Sequence, residues 1–313
     1  MPSRVAQSGI VVGVDGSAVS KVAVRWAARE ATMRNLPLAV VIAIPTPIFG
    51  SAALDWPAAR LPLDVHQYLK HQADNARQTI DEAIKVVEDI AQDIGRPEIN
   101  SEVFYSEPVP TLVDLSKDAQ MLVVGCRGQS ALRRGLFGSV STGLVHHAHC
   151  PVAVIHDELL SRLRLNRLPV VVGVDGSPAS ELATAIAFDE ASRRGVDLVA
   201  LHAWCDNDMS GMPSIEWSAF QSTAQETLAE RLAGWEEHYP NVRVRRLVVW
   251  EHPARHLLEE SESAQVVVVG SHGRGGYARM LLGSVSTAVV HAARTPVIVA
   301  RANTKALANG ASV

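Results

Sequence analysis

The chain has 313 residues, 47% hydrophobic and 20% charged, with 29 Lys and Arg against 33 Asp and Glu for a net charge of −4. That length suits about two ordinary globular domains, and the lack of a basic excess excludes a general nucleic-acid binder. The first apolar run, Ile10 to Val14, is only five residues long and no stretch reaches the ~20 needed for a membrane span, so a cytoplasmic protein without a signal or membrane helix is expected.

In chain order, IVVGV from Ile10 reads as a first strand and runs into Asp15. A helix is expected over AVSKVAVRWAAREATMRN, with Ser17 as its N-cap and apolar positions at Val22, Trp26 and Ala28. LAVVIAI from Leu38 is the second strand, and MLVVG and PVAVI follow at 121–125 and 151–155. Such unbroken apolar runs belong to parallel strands buried on both faces.

The pattern then repeats. VVGVDGS at 11–17 recurs at 171–177, a shift of 160, and Leu38 to Ile44 aligns with Leu198 to Trp204. Further on the shift is 145, pairing Pro108 with Pro253, Gly125 with Gly270, Gly138 with Gly283 and Pro151 with Pro296. The first copy therefore holds about 15 extra residues (160 minus 145), expected in the Pro-rich stretch 45–64. Two domains are expected, 1–157 and 168–302, joined by a short connector near 157–168. Each reads β-α-β-α-β-α-β-α-β, an α/β fold: a doubly wound, open, five-stranded parallel sheet of Rossmann-like type. The last strand of each copy is expected at a sheet edge, and pairing those edges would make an internal pseudo-dimer.

GCRGQSALRRGLFGSVST at 125–142 and GSHGRGGYARMLLGSVST at 270–287 each leave a strand, place two glycines three apart, and reach Gly-Ser-Val-Ser-Thr nine residues later. Gly125 and Gly128 are expected to let backbone approach a ligand and to permit positive φ. Gly138 and Ser139 open a helix whose free N–H groups suit an anion, with Ser139 and Ser141 adding hydroxyls. The pattern is that of a phosphate loop after the fourth strand. A Walker loop is excluded, since no Gly-Lys-Ser or Gly-Lys-Thr occurs, and the first strand turn lacks G-x-G-x-x-G. Asp15 would repel phosphate and is expected to face a base, a ribose or a cation; the plainer reading of Asp15 and Asp175 is an Asx turn feeding the first helix.

G-x2-G-x9-G-[ST] and V-D-G-S, each present twice and in order, resemble the universal stress proteins, specifically the tandem two-domain, ATP-binding kind common in actinobacteria. The resemblance spans nearly the whole chain. It implies an adenosine side near Asp15 and phosphates in the glycine loop, with Mg²⁺ on the phosphates. Carried over, the first site comprises Gly13, Asp15, Gly125, Cys126, Arg127, Gly128, Gln129, Ser130, Ala131, Gly138, Ser139 and Val140. The second comprises Gly173, Asp175, Asp206, Gly270, Ser271, His272, Gly273, Arg274, Gly275, Gly276, Gly283, Ser284, Val285 and Ser286. The second loop is nearer the family form, because the first has Cys126 for Ser and Gln129-Ser130 for Arg274-Gly275.

The same resemblance implies a nucleotide-dependent regulator in stress or dormancy responses, a homodimer and an unidentified protein partner. No Gly-x-Ser-x-Gly elbow or His-Glu-x-x-His supports an enzyme, and a slow ATPase is the alternative. His146, His147 and His149 are expected at a helix end, where imidazolium suits the dipole, rather than on a metal. Three cysteines without C-x-x-C spacing, Cys126, Cys150 and Cys205, are expected as buried thiols.

Overall fold

The computed structural model describes residues 9–45, 65–128, 138–156, 167–204, 217–273 and 282–301. Apolar β-branched runs become strands. β1 (Ile10–Gly13), β2 (Leu38–Ala43), β3 (Ile99–Phe104), β4 (Met121–Gly125) and β5 (Val152–Ile155) form the first half. β6 (Val170–Gly173), β7 (Leu198–Trp204), β8 (Val244–Trp250), β9 (Val266–Gly270) and β10 (Val297–Ala300) form the second. The helices between them are α1 (Ala18–Arg34), α2 (Val65–Ile94), α3 (Pro108–Leu115) and α4 (Ser139–His147), then α5 (Pro178–Arg194), α6 (Trp217–His238), α7 (Pro253–Ser261) and α8 (Ser284–Ala292).

All ten strands join one sheet in the order β3-β2-β1-β4-β5-β10-β9-β6-β7-β8. Pairing is parallel within each half. The halves meet where β5 and β10 pair antiparallel, Val154 opposite Val297 and Val152 opposite Val299. The expected edge-to-edge pairing is therefore present, and Val152–Ile155 and Val297–Ala300 are fully buried. A buried Val or Ile contributes about 1.5–3 kcal/mol over an exposed one, so the seam is a core element.

Each face of the sheet carries one apolar layer that crosses the seam. On one face α1, α2, α5 and α6 pack over residues such as Val12, Ala153, Val172 and Ile298. On the other, α3, α4, α7 and α8 cover Val11, Val154, Val171 and Val299. α1 starts where Ser17 Oγ accepts the Ser20 amide at 3.1 Å and ends at Asn35 in the left-handed region (φ 53°). α5 repeats this with Ser177, which accepts the Ser180 amide at 3.2 Å, and with Gly195 (φ 63°). Both helices are buried on most sides, Ala23, Ala27, Ala28 and Ala31 letting α1 lie close to the sheet.

α2 and α6 each begin at the first described residue after a stretch outside the described residues, at Val65 and at Trp217. The stretch 46–64 and most of the connector, 157–166, lie outside the described residues.

α4 packs on α3 through Gly143, where an added Cβ would sit 2.7 and 2.9 Å from the two Val109 methyls. Gly143→Ala is expected to lower stability by about 1–3 kcal/mol through overpacking. Gly234→Ala, in α6 with nothing within 4 Å of the new Cβ, is expected to raise it by about 0.5–1 kcal/mol. Urea unfolding midpoints of the two variants check this; shifts of the same sign would contradict the packing described.

Candidate functional site

In each half the strand order turns back between the first and fourth strands, and the connections there leave the sheet to opposite faces. Open α/β sheets leave a crevice beyond the strand ends at this point. Here it is a cavity of about 420 Å³ in the first half and about 310 Å³ in the second, within the range of small-molecule sites. The walls correspond position by position. Gly13, Val14, Asp15, Ser20, Val41 and Ala43 match Gly173, Val174, Asp175, Ser180, Leu201 and Ala203. Pro108, Leu112, Val124, Gly125, Arg127 and Gly128 match Pro253, Leu257, Val269, Gly270, His272 and Gly273, and Gly138 to Ser141 match Gly283 to Ser286.

One wall is apolar and the other is made of backbone. Helices α4 and α8 are N-capped by Gly138 and Gly283, which have no side chain to bond the first-turn amides. An uncapped first turn presents N–H groups and the positive end of the helix dipole, an anion site. The loop is closed at its base: the Gly138 amide donates to the Cys126 carbonyl at 2.9 Å and the Gly283 amide to Ser271 at 2.7 Å. Ser141 Oγ donates back to Gly138 and Cys126 carbonyls at 3.0 and 3.2 Å, and Ser286 Oγ to Gly270 at 2.5 Å. These serines fasten the loop; the hydroxyl expected on a ligand from Ser141 is turned to backbone.

Asp15 and Asp175 have divided duties. Oδ1 accepts the amide of Ser17 at 3.0 Å and of Ser177 at 2.9 Å, an Asx turn that starts the helix. Oδ2 points to the loop: a Cβ on Gly128 would lie 2.5 Å from Asp15 Oδ2, and one on Gly273 would lie 2.7 Å from Asp175 Oδ2. This corrects the expected role of the glycines. None of Gly125, Gly128, Gly270 and Gly273 has positive φ; that conformation falls to Gly16 (80°) and Gly176 (79°) in the Asx turns. Gly125 and Gly270 are small because the start of the first helix lies against them, Val19 Cγ1 at 3.0 Å and Ala179 backbone at 2.9 Å from the notional Cβ.

Of the residues expected at the sites, Gly13, Asp15, Gly125, Arg127, Gly128, Gly138, Ser139 and Val140 line the first cavity. Gly173, Asp175, Gly270, His272, Gly273, Gly283, Ser284, Val285 and Ser286 line the second. Cys126 is 1% exposed and packs into the core, and Ser271 is buried with its Oγ 2.9 Å from His272 Nδ1; neither lines its cavity. Gln129, Ser130, Ala131, Asp206, Arg274, Gly275 and Gly276 lie outside the described residues. Sequence reasoning did not single out the apolar wall of Val41, Ala43, Pro108 and Leu112 with its counterparts. Its signal was the repeat itself, which keeps Pro108 and Leu112 in register with Pro253 and Leu257.

The universal stress protein family model matches residues 9–156 and again residues 167–301. The chain belongs to the universal stress protein family. A universal stress protein of Mycobacterium tuberculosis is 55% identical over 301 residues, 96% of this chain and 99% of its own length. One from Mycolicibacterium smegmatis is 49% identical over 303 residues, with 96% and 99% covered. The crystal structure of a universal stress protein from Archaeoglobus fulgidus covers 94% of this chain and 99% of its own, at TM-score 0.65 and 22% identity, a likeness of fold. Among the described residues no helix is long and apolar enough to cross a membrane.

His146 and His147 stand in the last turn of α4, at the helix end expected of them. Arg301, just after β10, donates from Nη1 to Val145 O at 2.6 Å and from Nε to Ala148 O at 2.8 Å, and so occupies the carbonyl end of α4. His146 beside it is held below the ordinary imidazole range by burial and then by His147, Arg301 and His291. No group of three or more metal-binding side chains occurs among the described residues. His202 Nδ1 lies 2.6 Å from the Val174 carbonyl, tying β7 to the end of β6.

Cys150 is 1% exposed, and burial pushes its thiol up to about 12. The thiolate is the reactive form. Cys126 and Cys150 are therefore expected to resist a thiol reagent in the native protein at neutral pH and to react on unfolding. Peptide mass mapping reads both; rapid native labelling of Cys126 would place its sulfur in the cavity instead of the core.

Proposed function

We propose that this universal stress protein binds ATP, one molecule in each half, and acts as a nucleotide-dependent regulator in stress or dormancy responses. The observation that carries the reading is the pairing of two chemistries in one cavity, repeated in both halves. An uncapped helix start supplies amides for a triphosphate. In the same cavity an apolar lining with Val41 or Leu201 suits a base, and the Asp15 or Asp175 carboxylate offers an acceptor for ribose hydroxyls. Arg127 in the first cavity and His272 in the second add a donor at the phosphate side.

Mg²⁺ in this reading is carried by the phosphates, because no described cluster of protein ligands would hold it alone. No Ser nucleophile elbow or zinc-hydrolase motif accompanies the cavities in the sequence, so binding rather than turnover is the proposed activity. A ligand shifts a conformational equilibrium only by its differential affinity, so the regulated step is one in which ATP favours a single arrangement of the loops. Pairing of whole chains into a homodimer and capture of a protein partner belong to the same reading.

The test is to denature the purified protein, chromatograph the supernatant and count adenine nucleotide per chain. About two ATP per chain is expected for two such pockets. ADP in place of ATP would point to hydrolysis, and no nucleotide after incubation with Mg·ATP would mark a scaffold with unused pockets. In the Gly128→Ala, Gly273→Ala double variant the new Cβ atoms displace Asp15 and Asp175. If the ~1–3 kcal/mol of overpacking per site falls on the bound state, affinity drops about fivefold to 150-fold. Unchanged occupancy would show that the loops do not hold the nucleotide.

A further inference from the structure

The two cavities are nearly the same cavity twice. Among the described residues their walls differ in residue type at two positions, Val41 against Leu201 in the apolar lining and Arg127 against His272 beside the uncapped helix. The backbone places that second pair alike. A Cβ on the N-cap Gly138 would lie 3.5 Å from Arg127 Cα, and one on Gly283 would lie 3.5 Å from His272 Cα. Each residue therefore stands where its helix presents open amides, directly before the glycine that lies against Asp15 or Asp175. Among the described residues, what separates the two anion sides is a side chain.

Arginine and histidine offer different things to a phosphate. A guanidinium keeps its charge at every pH a protein meets, and its planar fork bonds two phosphate oxygens at once. An imidazole is shorter, and it gains or loses its charge between about pH 5 and pH 8. The ring of His272 is also engaged within its own loop, with Nδ1 2.9 Å from Ser271 Oγ. Its carbonyl accepts from Ser177 Oγ, just before α5, at 3.2 Å. The first copy has Cys126 in place of Ser271, which brings no hydroxyl and packs into the core.

The attraction of a fixed charge for a ligand grows with the ligand's own charge. A guanidinium therefore widens the gap between a triphosphate and a monophosphate, whereas an uncharged imidazole adds a similar hydrogen bond to either. Leu201 in place of Val41 belongs to the apolar lining. A base is common to all adenine nucleotides, so that difference moves their affinities together.

We propose that Arg127 and His272 are specificity-determining residues: the first site selects nucleotides by phosphate number, and the second accepts those with fewer phosphates almost as readily. This rests on the nucleotide reading of the cavities. One chain then carries a strict and a lenient pocket for the same family of ligands.

The full chain is titrated separately with ATP and with AMP, each with excess Mg²⁺, at about pH 8, where an imidazole is ordinarily uncharged. Amide resonances of Ser139 and Ser284, in the first turns of α4 and α8, report the two sites separately. The preference for ATP over AMP is expected to be about tenfold greater at the first site than at the second. This comparison needs no variant, and equal preferences overturn the proposal. In the Arg127→His, His272→Arg double variant the two preferences are expected to change places. Gln129 and Arg274, two residues further on, lie outside the described residues, and the exchange leaves both where they are. A strict preference that stays with its half through the exchange would therefore belong to other residues and would overturn the proposal equally. Nucleotide bound at neither site of the wild type would overturn the nucleotide reading itself, and this proposal with it.

Discussion

The antiparallel pairing of β5 with β10 is the contact on which the rest of the molecule depends. A parallel sheet needs both faces covered, and its open edges need partners. Each half alone would leave Val152–Ile155 or Val297–Ala300 as an exposed apolar edge; together they bury both. The pairing also sets direction. Strands run parallel within a half and opposite across the seam, so the two cavities open at opposite ends of one sheet, and each apolar layer passes from one half to the other without a break.

Within each half the cavity is a consequence of strand order and of the residues that let backbone come close. The 3-2-1-4-5 order opens a crevice beyond β1 and β4. Asp15 then does two things with one carboxylate: it turns the chain into α1 and it stands against Gly128. The glycines of the loop are small because neighbours occupy the space a Cβ would take, which couples the floor of the cavity to the start of α1. Gly138, as an N-cap without a side chain, leaves the α4 amides open where serine or aspartate would have bonded them.

Between α1 and α5, Arg34 and Arg194 each pair with both Glu30 and Glu190, a charge-balanced cluster across the seam. Buried ion pairs seldom stabilise more than apolar packing of equal volume, and their better-attested use is to select one arrangement. Here the arrangement selected is the docking of α1 on α5. Its members lie in helices whose first turns, at Ser17 and Ser177, adjoin the two cavities. Arg301 capping α4 from the second half, and His156 Nε2 lying 3.1 Å from the Val290 carbonyl of α8, tie the opposite face in the same reciprocal way.

Much of this was legible in the residues. The shift of 160 and then 145, the strands as apolar runs, the α/β class, Ser17 as a cap and the helices that start at Gly138-Ser139 and Gly283-Ser284 all follow from local pattern and from one copy matching the other. They are properties of neighbouring residues, and periodicity and cap chemistry act over a few positions. The structure alone decided that Gly125 yields to Val19, that Cys126 turns into the core, that Val41 and Leu112 form a wall, and that Glu30 meets Arg194. Each of those depends on which strand lies beside which. Glu30 looks in the sequence like any charged residue in the last turns of a helix; only the seam, by laying α1 against α5, takes it out of water.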